Sequence, residues 1–187
     1  NEVAKIASVL PPERIAIQWD VLQEILLWEN YFPWRPDDYQ DWVLSTLADA
    51  GNSTPPAAEL GYHFCYGSPK DEHLVQPKDT RIMVELLNGL SARLKRPLNF
   101  VHMPVPKPRI DDDYFRPLSA LQLPDETELY LGLVHSDDDV GNQQRLEIAK
   151  KYTTVSGVAT ECGWGSGSPE RIPGIMQTHR RLLSGSR

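Results

Sequence analysis

Cysteine is scarce in this chain, with two residues in 187, and this excludes a small scaffold held together by disulfides. No apolar run approaches the ~20 residues that a membrane-spanning helix requires, and no charged start with an apolar core marks a signal peptide. Basic residues are outnumbered, since 19 Lys and Arg against 26 Asp and Glu leave a net charge of −7. Because phosphate contacts need clustered Lys and Arg, a nucleic-acid partner is not expected. We expect a cytoplasmic protein with neither a membrane nor a nucleic-acid partner.

The composition is otherwise that of an ordinary globular chain, with 40% hydrophobic and 24% charged residues. Short apolar runs bounded by turn residues predict buried strands; these runs are Ile15–Asp20, Leu60–Cys65, Leu98–Val105, Leu129–His135 and Val155–Cys162. Helical patterns cover Asp38–Ala50, Thr80–Lys95, Tyr114–Leu123, Gly141–Tyr152 and Pro169–Leu183. Strands alternating with helices predict parallel pairing and the α/β class. No Gly-rich phosphate loop follows a strand, which disfavours a nucleotide-binding fold.

Side chains with reactive or metal-binding groups stand at or near the C-terminal ends of these predicted strands. They are Asp20, His63, Cys65, His102, His135 and Cys162. Parallel strands bring their C-terminal ends to one face, where active sites are built. His63 and Cys65 alternate on one strand and therefore point to the same side of the sheet. Two thiolates with one or two imidazoles match the ligand chemistry that zinc prefers.

Each of these residues also has a simpler structural interpretation. Cys162 taken alone is more often a core residue than a ligand, and the pattern H-x-C by itself is a weak motif. The two cysteines could instead form a disulfide, although a cytosolic composition disfavours it. His73 and His179 lie in a loop and in a helix, and we predict that both are surface residues.

The strand-end motifs, taken in order, resemble the C-terminal catalytic barrel of cobalamin-independent methionine synthase and its relatives, which share a TIM-barrel fold with uroporphyrinogen decarboxylase. Segments similar to the family's strands four to eight are Ile17–Asp20 (IQWD), Tyr62–Ser68 (YHFCYGS), Asn99–Pro104 (NFVHMP), Leu131–Asp138 (LGLVHSDD) and Ala159–Gly165 (ATECGWG). The resemblance implies a single-domain α/β chain over residues 1–187. It would form about strands four to eight of a (β/α)8 TIM barrel, with the N-terminal strands missing from this chain.

The resemblance also implies a metal site. By carry-over, His63, Cys65 and Cys162 would bind zinc, and zinc is the cofactor that we expect. His102 stands nearest the place where the family carries a Glu ligand, and we predict it as a fourth ligand. A folate co-substrate stays open, because no segment of this chain indicates folate recognition.

Further residues receive catalytic and substrate-binding roles from the same resemblance. His135 would be the acid/base residue, and Asp20 would help to hold the substrate or assist proton transfer. We also predict that Trp19, Trp164 and Glu161 contact the substrate. The two indoles could stack on a planar ring or could serve only as pocket-wall packing. The family's Glu and Pro after the strand-four Asp are Val21 and Leu22 here, which removes a carboxylate used on the substrate.

The resemblance therefore predicts a methionine-synthase-like, zinc-dependent methyl or alkyl transferase acting on a small-molecule thiol. A metal-free lyase, decarboxylase or hydrolase that uses His and Asp for acid–base chemistry is the alternative. A non-catalytic barrel subunit is a second alternative. Because five strands alone leave an unpaired edge, we expect a partner at this edge. It would be the missing N-terminal part of the same barrel or a second chain.

Overall fold

The computed structural model describes residues 2–67 and 72–184, and a five-stranded parallel sheet lies at its centre. The strands are β1 Ala16–Val21, β2 Glu59–Phe64, β3 Phe100–Pro104, β4 Glu128–Gly132 and β5 Gly157–Val158. Their spatial order is their chain order, as expected when each strand crosses over to the next. This mixed α/β architecture is consistent with the predicted part of a TIM-barrel-like fold.

Helices connect and flank the strands. They are α1 Glu2–Val9, α2 Gln23–Trp28, α3 Tyr39–Asn52, α4 Arg81–Ser91, α5 Asp112–Phe115, α6 Asp139–Ala149 and α7 Ile172–Ser184. The predicted helix over 114–123 is instead a short α5 followed by a 3-10 turn, Arg116–Ala120. The turn carries Pro117, whose missing N–H disfavours a continuous helix. Among the described residues, no helix is long and apolar enough to cross a bilayer.

Helix α2 was not among the predicted elements. Its buried residues are four in succession, Ile25, Leu26, Leu27 and Trp28, so its sequence lacks the three-to-four spacing that reveals an amphipathic helix. The helix follows β1 directly and packs into the same hydrophobic core as the rest of the chain. This unbroken run of buried residues therefore hides the helix from periodicity.

The two faces of the sheet differ in chemistry because successive side chains on a strand alternate. One face is apolar and packs under the helices, with Trp19, Tyr62, Val101 and Leu129 in one cross-strand row. The opposite face carries a polar row of Asp20, His63, His102 and Tyr130, one from each of the first four strands. The register of the sheet thus places three of the predicted site residues side by side.

The fifth strand is shorter than predicted. The sequence predicted Val155–Cys162, but β5 contains Gly157 and Val158 alone. Contact with β4 continues for one further residue, where Ala159 N–H donates to the Leu131 carbonyl at 2.9 Å. The chain then turns away, and the Thr160 hydroxyl donates to the Cys162 carbonyl at 2.7 Å. Cys162 consequently lies in a loop beyond the strand.

Candidate metal centre and adjoining cavity

Three predicted ligands converge at the C-terminal edge of the sheet. His63, Cys65 and Cys162 each offer a donor atom, and these atoms all lie within 4.8 Å of one another. The two sulfurs are 3.8 Å apart, and both thiols are free. Cys65 is the first residue after β2, and its N–H is held by the Val21 carbonyl at 3.1 Å. Residues separated by 97 positions are thereby brought to one point.

The donor set fits a zinc ion. His63 is 5% exposed, and within the described part of the chain neither of its ring nitrogens has a hydrogen-bond partner. A buried polar atom without a partner is costly and calls for an explanation such as a bound ion. One imidazole and two thiolates are ligands that zinc prefers, and three protein ligands are typical of catalytic zinc sites. These residues could therefore hold zinc with a fourth position open.

The two thiols differ in acidity. The two sulfurs share one hydrogen bond, in which either could be the donor. This bond, and then the neighbouring His63, lower the pKa of Cys162, whereas the same bond and partial burial raise the pKa of Cys65. Since the thiolate is the form that binds metal, Cys162 is prepared for coordination and Cys65 must lose a proton to join it.

His102 lies beside this group, and the structure does not bring it in as a fourth ligand. It is paired in register with His63, and the two rings stack with centroids 4.5 Å apart. Burial, followed by the neighbouring His63, lowers the pKa of His102 to about 3. A Cβ on Gly132 would lie 2.7 Å from His102 Nε2. The glycine therefore makes room for this ring.

Asp20 and Trp19 lie on opposite faces of β1. Asp20 is paired in register with His63, is exposed, and accepts a hydrogen bond from Gln18 at 3.0 Å. Trp19 faces the helices, where its indole donates to the Thr54 hydroxyl at 3.3 Å. The predicted contact between Trp19 and substrate is therefore corrected. Neighbouring residues on a strand cannot both reach the site face.

His135 lies beyond β4, and both of its ring nitrogens face oxygen acceptors. Nε2 is 2.9 Å from the Val105 carbonyl, and Nδ1 is 3.7 Å from Glu161 Oε2. Burial, only partly opposed by Glu161, lowers the pKa of His135. One oxygen of Glu161, which we predict to contact substrate, therefore faces this histidine.

A second histidine lies within ion-pair distance of the other oxygen of this carboxylate, and its predicted place on the surface was wrong. His73 Nε2 is 3.1 Å from Glu161 Oε1, and the His73 side chain is 8% exposed. One signal could have found this residue: it lies in the loop between β2 and α4, at the edge of the sheet where loops carry function. His179, the other predicted surface histidine, is half-buried beside Trp164.

A cavity of about 240 Å³ adjoins the metal-ligand group. Its lining includes His135, Cys162, Trp164, Lys107 and Arg171. The Trp164 indole donates to the Thr160 hydroxyl at 2.9 Å, which fixes the ring against one wall. The cavity thus brings an aromatic surface and two cationic side chains next to the candidate acid/base residue and one candidate ligand.

A parallel sheet with donor groups at its C-terminal edge is found in TIM barrels and in open α/β sheets. Comparison with solved structures agrees: the chain is similar to a B12-independent methionine synthase from Shewanella sp. W3-18-1, solved in complex with selenomethionine. The TM-score is 0.68 at 15% sequence identity, over 98% of this chain and 51% of that chain. Comparison with family sequence models and with curated proteins finds no match. The likeness is one of fold, and this chain spans about half of its structural neighbour.

Proposed function

We propose that this chain carries the metal site of a zinc-dependent enzyme that transfers a methyl or alkyl group to the sulfur of a small-molecule thiol. The observation that supports the proposal most directly is the convergence of His63, Cys65 and Cys162 at the C-terminal edge of the sheet. The fold likeness to a methionine synthase supports the reaction class. A cytoplasmic setting, in which thiols stay reduced, suits a site with two cysteines.

His63, Cys65 and Cys162 would hold the zinc ion. Two thiolates balance the charge of the ion (2 − 2 = 0), so the centre would be neutral before substrate enters. When bound, zinc supplies Lewis acidity, which lowers the pKa of a coordinated thiol so that a thiolate exists near neutral pH.

His135 would receive the proton that the substrate thiol releases. Its Nε2 faces a carbonyl, which only accepts, so Nε2 carries the hydrogen and Nδ1 is the basic atom. The lowered pKa keeps this ring neutral and ready to accept a proton at neutral pH. In the transfer itself, the sulfur forms a bond to the alkyl carbon while the bond from that carbon to the donor breaks. The donor's leaving group departs with the electron pair.

Asp20 and Trp164 complete the proposed site. Asp20 would meet the substrate from the polar face of the sheet, and Trp164 would form a wall of the cavity beside Cys162. The outer edge of β1 has no neighbouring strand among the described residues. We propose that the N-terminal part of the same barrel, or a second chain, pairs there.

Metal analysis of the purified full-length protein tests the proposal. We expect one zinc per chain, lost in the double variant Cys65→Ser, Cys162→Ser and weakened in His63→Gln. The matched control is His179→Gln, which changes a histidine outside the ligand group and should retain zinc. Stoichiometric zinc in the double variant would place the metal elsewhere. Freshly purified protein without zinc, active in strong chelator, would favour the metal-free acid–base alternative.

A further inference from the structure

We propose that His73 is a positioning residue for His135 and acts through the carboxylate of Glu161. The inference rests on the proposed function in one respect, that His135 is the residue that exchanges a proton. The three side chains form a bridge in which Glu161 Oε1 is 3.1 Å from His73 Nε2 and Oε2 is 3.7 Å from His135 Nδ1. We name this arrangement the His–Glu–His bridge.

The bridge lies in a poorly solvated place. The side chains of His73, His135 and Glu161 are 8%, 12% and 22% exposed. A carboxylate that has lost most of its water interacts strongly with nearby cations. Each oxygen of Glu161 has an imidazole nitrogen within ion-pair distance, so the two rings are its charge partners in this poorly solvated place, and among the described residues Oε1 accepts no hydrogen bond.

The backbone of His135 and its ring nitrogen Nε2 are both held. Its N–H donates to Asn142 Oδ1 at 2.9 Å, and its carbonyl accepts from Asn142 Nδ2 at 2.8 Å. Its Nε2 lies against the Val105 carbonyl at 2.9 Å. The Nδ1 side is therefore the one left for Glu161 to control, and it is the side on which the proposed proton exchange takes place.

Glu161 has three rotatable side-chain bonds and needs support of its own to hold this position. His73 supplies that support at Oε1 as an ion-pair partner, and Oε2 faces His135. The loop that carries His73 is itself anchored, because Leu74 N–H donates to the Tyr66 carbonyl at 3.0 Å. The Tyr66 and His73 rings lie 6.0 Å apart.

Acidity supports this division of roles. Burial lowers the pKa of His73, but Glu161, together with smaller contributions from Gln76 and Cys162, outweighs burial, and the pKa is raised overall. The opposite balance holds for His135, where burial wins and the pKa is lowered. The balance of burial and charge thus differs between the two rings, and the contact distances to Glu161 show the same order, 3.1 Å for His73 and 3.7 Å for His135. The other charged groups that face His135 are Lys107 and Arg145, and both disfavour its protonation.

Nuclear magnetic resonance of the full chain labelled with ¹⁵N-histidine tests the inference. The ring signals of His135 are assigned by their disappearance in His135→Gln, and their titration gives its pKa. In His73→Phe the carboxylate loses its partner at Oε1 and swings away, so the pKa of His135 should fall by about one unit, the lower end for loss of a nearby opposite charge. Glu161→Gln should give a similar fall.

The rescue variant is His73→Gln, whose side-chain amide can donate to Oε1 in place of Nε2, and it should keep the wild-type pKa of His135. His73→Ala repeats the test should the Phe variant fail to fold. An unchanged His135 pKa in both apolar variants would overturn the inference. A rise in the pKa of His135 would also overturn the inference, because it would mean that His73 only competes with His135 for Glu161. Zinc content, measured on the same samples, separates failure of this inference from failure of the proposed metal site.

Discussion

Arg145 on α6 connects the loops that carry His135, and its replacement by Met should be strongly destabilising. The side chain is fully buried. Its guanidinium donates to the Leu133 carbonyl at 3.1 Å and to the Lys107 carbonyl. It also donates to Asp138 Oδ2 and Asn142 Oδ1, each at 2.6 Å. One residue therefore joins the chain after β3, the chain after β4 and the first turns of α6.

The size of the effect follows from what Arg145→Met leaves behind. Hydrogen bonds to a charged group contribute about 1.5–3 kcal/mol each but do not add, and breaking a buried ion pair costs about 3–5 kcal/mol. The Asp138 side chain is 26% exposed and keeps some water, so we take the lower end, ~3 kcal/mol. For a chain of this length that loss corresponds to a fall in Tm of about 6–12 °C.

Urea unfolding monitored by tryptophan fluorescence measures this free energy, with an unchanged m-value showing that the native and unfolded states are comparable. Arg145→Lys keeps the charge but loses the planar fork, so it should be intermediate. Arg181→Met is the matched control, because Arg181 is 53% exposed and pairs with Asp139 at the surface. Such a surface change should stay within about 0.5 kcal/mol. An Arg145→Met variant as stable as this control would refute the reasoning.

Three further outcomes follow from the site. The free energy of unfolding should fall as the pH drops from about 6.5 towards 3, because His102 takes up a proton in the unfolded chain but not in the folded one, where its ring is buried. The fall should be at most about 1.4 kcal/mol per pH unit. An acid-unfolding series on His102→Phe should lose this contribution, and an identical slope would contradict the assignment. Mild oxidation should join Cys65 and Cys162, whose sulfurs are 3.8 Å apart, in a disulfide and prevent zinc uptake. Thiol titration together with metal analysis measures both effects, and full zinc uptake by the oxidised protein would contradict the prediction. Trp164→Phe should raise KM for the proposed thiol substrate with kcat little changed, whereas Trp19→Phe should affect stability alone. Steady-state kinetics that show equal effects of the two variants on KM would contradict the proposal that substrate binds in the cavity beside Trp164.

The sequence locates the first four strands because turn residues bound their apolar runs, although β4 ends at Gly132 and not at the predicted His135. It fails where burial is uniform or where regular structure is short. Helix α2 buries four residues in succession and shows no helical spacing, and β5 ends after Val158, well short of the predicted Cys162. Both differences arise from tertiary packing, which local periodicity does not contain.

The sequence likewise predicts only part of the candidate site. Alternation along β2 correctly places His63 and Cys65 on one side, and the parallel sheet brings Cys162 to them. The prediction for Trp19 was wrong because adjacent residues on a strand point to opposite faces, so Trp19 lies away from the site that Asp20 faces. His73 was missed because its partner Glu161 is 88 positions away in the chain (161 − 73 = 88). Only the folded chain shows that contact.

The separation of Cys65 from Cys162 has a kinetic consequence. Closing a loop of 97 residues costs on the order of 4 kcal/mol of chain entropy, and contacts between distant residues form slowly. Since β3 and β4 lie between β2 and β5 in the sheet, we expect the sulfurs to meet only after these two strands have docked. Capture of a metal ion by all three donors would therefore be a late event in folding, and its rate would report when the last strand docks.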